Sequence, residues 1–111
     1  MATVVVDAWN VLRSEWPNIP EDELVAAVRA WAAEQGHDAL IVFDGGAPEG
    51  AIGSGRESAD DWIAREAERL EEPFWVVTSD RGLRARVPRA ERLLGGGGFA
   101  RELRRFRGRP A

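Results

Sequence analysis

Three apolar runs in the sequence end on an aspartate: Val-Val-Val-Asp7, Leu-Ile-Val-Phe-Asp44 and Val-Val-Thr-Ser-Asp80. If the runs are parallel strands, the three carboxylates emerge at one edge of a sheet. In open α/β folds that is the edge where ligands bind. A fourth acid, Asp60, opens the stretch ESADDWIAREAERL at 57–70. Helical spacing puts Asp60 on one face with Ile63, Ala64 and Ala67, and puts Asp61 on the wet face with Arg65, Glu68 and Glu72. An unpaired carboxylate turned towards a core costs several kcal/mol. A divalent cation shared with Asp7, Asp44 and Asp80 would offset that cost. Hard oxygen donors without cysteine suit Mg²⁺ or Mn²⁺ rather than Zn²⁺. Taken singly, each aspartate equally suits a turn or a helix N-cap, and Ser58 to Asp61 fits a capping pattern.

The elements that must carry these residues are legible in outline. Residues 3–6 and 39–43 are β-branched and apolar without alternation, as strands covered on both faces are. Residues 74–78 form a third strand and 90–94 a weaker fourth. Residues 20–35 follow helix rules: Pro20 near the start, Glu21, Asp22 and Glu23 in the first turn, and Gly36 just past the end. The helix of 57–70 is stopped by Pro73, SDRGLRARV is a short helix or turn, and a last helix follows GGGG at 95–98. Those four glycines read as a flexible loop, because they lack the spacing of a nucleotide fingerprint. The stretch DGGAPEGAIGSG after residue 43 reads as a loop. Alternating strands and helices predict an α/β fold in three α/β/α layers around a parallel sheet of four strands, with a fifth allowed. Residues 1–111 read as one domain, with 107–111 a frayed tail.

Composition narrows the function. Hydrophobic residues make up 44% of the 111, enough for a core, and cysteine is absent. Disulfides and thiolate metal sites are therefore excluded. His37, alone near a helix end, is a poor ligand candidate. No apolar run approaches the ~20 residues of a membrane span. The start of the chain enters a strand without a basic, then apolar, leader, so the expected location is cytoplasmic. Residues 1–80 hold 5 Arg against 17 Asp and Glu, and residues 81–111 hold 10 Arg against 2 Glu. Every basic residue is Arg. Arg forks onto phosphate well, but Arg101, Arg104, Arg105 and Arg107 also fit a solvated helix face paired with the acidic helix of 20–35.

VVVDAWNVLR resembles the motif that opens NYN domains, with Ala8-Trp9 in place of Gly-Tyr. VFDG at 42–45, ESADDWI at 57–63 and VTSDRGL at 77–83 resemble, in order and spacing, the remaining motifs of the YacP-like NYN branch of the PIN-like nuclease superfamily. The resemblance covers residues 3 to 85. It implies a PIN-like fold and metal-dependent endoribonuclease chemistry, leaving a 5′-phosphate and a 3′-hydroxyl. Asp7, Asp44, Asp60, Asp61 and Asp80 match acidic metal positions, and Asn10 matches an asparagine that orients Asp7 or a bound water. Gly82 stands where related 5′ nucleases carry a further acid, which weakens a second metal position.

RNA is the implied substrate. Asp7, Asn10, Asp60 and Asp80 are the expected catalytic residues. An acidic site repels phosphate, so contacts to RNA are expected from Ser79, Arg81 and Arg84, with Trp9 stacking on a base. A ribosome, an antitoxin-like protein or a second copy of the chain are candidates to complete the surface. A dehalogenase-type phosphatase needs a second Asp two residues after the first, where Trp9 stands, and a receiver domain needs a Lys. The alternative from another class is a catalytically weak RNA-binding or toxin-like module on the same fold.

Overall fold

The structure is a computed structural model that describes residues 1–15 and 18–108. Five strands form one sheet: β1 (Thr3–Asp7), β2 (Asp38–Phe43), β3 (Ile52–Gly53), β4 (Phe74–Val77) and β5 (Arg92–Leu94). Their spatial order is β3-β2-β1-β4-β5, and every pairing is parallel. The helices are α1 (Ala8–Arg13), α2 (Glu21–Gln35), α3 (Ala59–Ala67), α4 (Arg81–Ala85) and α5 (Gly96–Arg107).

Side chains alternate across a strand, and here the alternation separates two cores. Val4 and Val6 pack with Leu24, Val28 and Trp31 of α2 and Phe99 and Leu103 of α5. Val5, Val42 and Val76 pack with Ala59, Ile63 and Ala67 of α3 and Leu83 of α4. The result is three layers, α/β/α. Covering both faces is why the central strands carry no polar alternation. Ile63 is fully buried, which contributes about 1.5–3 kcal/mol.

Several local readings change. β3 lies inside the stretch read as a loop and pairs with Val42 and Phe43. A side chain at Gly53 would run into the backbone of Gly45, Gly46 and Ala47, so glycine permits this short edge strand. No helix is foreseen at α1, where Trp9, Asn10 and Val11 are mediocre helix formers. Burial of Ala8, Val11 and Leu12 overrides that preference. The α3 helix ends at Ala67, well before Pro73. Arg89 takes the carbonyls of Ala67, Glu68 and Leu70, so a distant guanidinium closes the helix. Gly36 does cap α2, at φ 76°.

The glycines at 95–98 are not a loop: Gly95 is the N-cap of α5, and the other three form its first turn. Buried Gly96 abuts Asn10, whose side chain and carbonyl occupy the space a Cβ would take. Helix α5 runs through Arg107, the first residue of the expected tail, while 109–111 lie outside the described residues. His37 is structural: its Nδ1 accepts from the Ala2 amide at 2.9 Å, and its ring packs on Trp75. No helix among the described residues is long and apolar enough to cross a membrane.

Candidate functional site

The site lies at the C-terminal edge of the sheet. Asp7 stands level with Val42 in β2 and one step past the Val6–Val77 pair. It shares the parity of Val5, Asp44 that of Val42, and Thr78 that of Val76. All three side chains therefore leave the sheet on the face covered by α3. An open cleft of about 600 Å³ is lined there by Asp7, Asp44, Asp60 and Asp80, by Ser58 and Ser79, and by Trp9, Asn10, Arg13, Ser14 and Gly97.

Each strand-end carboxylate is positioned by a bond of its own. Asp7 is 6% exposed, and its Oδ2 accepts from Thr78 Oγ1 at 2.9 Å. Thr78 Oγ1 in turn accepts from the Asp80 amide at 3.1 Å. Asp80 caps α4 through Oδ1, which accepts from the Leu83 amide at 2.8 Å. Asp44 Oδ1 accepts from the first amide of α3, Ala59, at 2.8 Å. In each case one carboxylate oxygen is engaged and the second makes no hydrogen bond among the described residues. Asp60, half-buried in the first turn of α3, makes no side-chain hydrogen bond among the described residues, and Ser58 caps that helix instead through the Asp61 amide.

Two of the acids, Asp7 and Asp60, are shifted by their surroundings. Burial raises Asp7 from 3.8 to about 6, and repulsion from Asp60, Asp44 and Asp80 adds to it, against the lowering effect of the Thr78 bond. Burial also raises Asp60, with repulsion from Asp80 and Asp44 behind it. Burial and neighbouring like charges both disfavour an ionised carboxylate. The oxygen chemistry of the four acids fits Mg²⁺ or Mn²⁺. As the side chains stand they ring the cleft rather than converge: among the described residues no three acidic, histidine or cysteine side chains are grouped to hold one ion.

Other expected site residues are placed differently. Asp61 points away from the cleft and pairs with Arg86 at 2.8 Å, so the cleft does not gather it. Among the described residues Asn10 makes no hydrogen bond to Asp7; its Oδ1 accepts from the Ser79 amide at 2.9 Å. Ser79 lines the cleft but its Oγ accepts from the Gly96 amide at 2.8 Å, locking β4 to α5. Arg84 turns inward to the Thr78 carbonyl at 2.9 Å, and exposed Arg81 does not line the cleft. Trp9 lies half-buried in the cleft wall, edge-on to Phe43.

Two residues were missed. Thr78 is fully buried, and a hydroxyl at the end of an apolar strand was its signal. Arg13 lines the cleft with its guanidinium 5.3 Å from the centre of the Trp9 ring. Only the unforeseen α1 brings it there. Of the C-terminal arginines, Arg107 pairs with Glu23 of the acidic α2, whereas Arg104 pairs with Glu15 ahead of that helix and Arg105 with Glu102 of its own.

The crystal structure of Rae1 (YacP) from Bacillus subtilis (W164L mutant) superposes on this chain with a TM-score of 0.79. The match covers 96% of this chain and 77% of that one, at 20% identity. The chain has a YacP-like fold. Neither a family model nor a curated protein matches the sequence. In this YacP-like fold the strand ends that carry Asp7, Asp44 and Asp80 are central or next to central in the sheet, so the cleft sits over its middle.

Proposed function

We propose that this chain is a divalent-cation-dependent endoribonuclease that hydrolyses RNA phosphodiester bonds in the cleft. One observation supports the reading above others: acids from the ends of β1 and β2, from the start of α3 and from the cap of α4 open onto one cleft, where burial and the neighbouring carboxylates raise the proton affinity of Asp7 and Asp60. Asp7, Asp44, Asp60 and Asp80 would hold Mg²⁺ or Mn²⁺. Bound there, the ion supplies charge stabilisation at the phosphate and a more acidic water.

The chain's own residues do the positioning. Thr78 fixes the rotamer of Asp7 and ties it to the Asp80 amide. Without a cation Asp7 ionises only as the pH rises through about 6, and a bound cation would favour its charged form at lower pH. Asn10 is held by the Ser79 amide through its oxygen, which leaves its own NH₂ to donate to a phosphate oxygen.

The direct test is cleavage of single-stranded RNA with Mn²⁺. Cleavage should stop with a chelator and fall at least about a hundredfold in Asp7→Asn and Asp80→Asn. Undiminished cleavage by both variants would falsify the proposal. The second reading, an RNA-binding or toxin-like module, draws on the spread of the four side chains around the cleft. Such a module would hold RNA in chelator and cut nothing.

A further inference from the structure

Most of the arginines are already engaged. Arg65 and Arg69 pair with Glu57 and Glu66, and Arg86 with Asp61. Arg104, Arg105 and Arg107 pair with Glu15, Glu102 and Glu23. Arg29, Arg84 and Arg89 bind backbone carbonyls, and Arg92 lies over Trp75. Among the described residues, Arg13, Arg56, Arg81 and Arg101 make no ion pair. Only Arg13 lines the cleft. Arg101 lies across Gly97 and Gly98, which have no side chain to hold it off, and Gly97 lines the cleft.

Arg13 is also held in place. Its guanidinium rests over the Trp9 indole, and Trp9 is braced edge-on against fully buried Phe43. A guanidinium stacked on a ring keeps its N–H fork free for a planar or tetrahedral anion. The stack also occupies a face of Trp9 that a base would otherwise use. Arg13 and Gly97 bring α1 and α5 into the lining that also holds the four acids, so a negatively charged strand has a cation to attract it within the same cleft.

We propose that Arg13, positioned by Trp9 and assisted by Arg101, is the phosphate clamp that holds single-stranded RNA in the cleft, in place of Arg81 and Arg84. The proposal rests on the nucleic-acid reading of the cleft but not on turnover. Trp9 is then a positioning residue rather than a base platform.

The test is equilibrium binding of a short labelled single-stranded RNA, in chelator, across a salt series. Arg13→Ala should weaken binding about tenfold, the worth of one charge-assisted contact, and lower the slope of log affinity against log salt by about one. Arg13→Lys should keep the slope and lose part of the affinity. Trp9→Leu should reproduce the loss seen in Arg13→Ala, with Trp9→Phe close to wild type. Arg81→Ala should change neither quantity. Arg13 is exposed, so thermal melts of its variants should match wild type and separate binding from folding. Wild-type slope in Arg13→Ala, an equal loss in Arg81→Ala, or no RNA binding by the wild type each overturns the clamp. A preserved Arg13 effect with no cleavage under Mn²⁺ sinks the nuclease reading and leaves the clamp standing.

Discussion

Thr78 and Asp7, 71 residues apart in the chain, meet through a buried hydrogen bond of 2.9 Å at the centre of the sheet edge. The same hydroxyl receives the Asp80 amide. One small side chain thus fixes two of the four acids. Because the bond favours the ionised form of Asp7, its loss should push Asp7 still higher.

In the cation-free protein, Thr78→Val is therefore expected to raise the Asp7 titration midpoint above about 6. It should also cost about 1–3 kcal/mol, because partners of the lost hydroxyl stay buried. Carboxyl-carbon NMR titration and urea unfolding check the two parts. An unchanged midpoint would show that the hydroxyl does not act on Asp7.

Asp7 binds its proton more tightly in the folded chain than in the unfolded one, with about 6 against 3.8. Without cation, stability should then fall as pH rises from about 4 through about 6, and stay lowered above that. Asp7→Asn should remove the loss. It should be more stable than wild type at neutral pH, by up to about 3 kcal/mol, with the gain vanishing towards pH 4. Urea unfolding in chelator at several pH values measures it. A variant that is less stable at neutral pH would contradict the origin assigned to the shift.

Neighbouring acids on α3 should separate cleanly. Asp60→Asn, in the cleft, should lower RNA cleavage at least about a hundredfold and abolish stabilisation by Mn²⁺. Asp61→Asn breaks only an exposed pair with Arg86, worth under about 1 kcal/mol. It should retain cleavage within a few-fold. Equal losses in the two variants would return Asp61 to the site.

Gly96→Ala tests the contact between α5 and α1. The new methyl would collide with the Asn10 side chain and carbonyl, and Asn10 in turn holds the Ser79 amide. A destabilisation of about 1–3 kcal/mol is expected from such overpacking, along with reduced cleavage. Gly97→Ala has ordinary space and should be far milder. Similar melting curves for the two variants would show that the contact is loose.

The sequence by itself determined what local pattern can carry. Apolar runs ending in Asp7, Asp44 and Asp80, separated by helical stretches, suffice for a parallel α/β fold and for acids at one sheet edge. Helical spacing likewise turned Asp60 inward and Asp61 outward, although motif resemblance had put both at the metal. Tertiary structure decided the rest, because each remaining feature depends on partners far away in the chain. Burial of Val11 and Leu12 made α1 helical and so carried Arg13 into the cleft. Arg89 ended α3, and Asn10 required the small Gly96 in the first turn of α5. A basic side chain next to an acid in sequence, as Arg81 is to Asp80, reaches a ligand only if its backbone aims it there. At the start of α4, Arg81 is exposed and does not line the cleft.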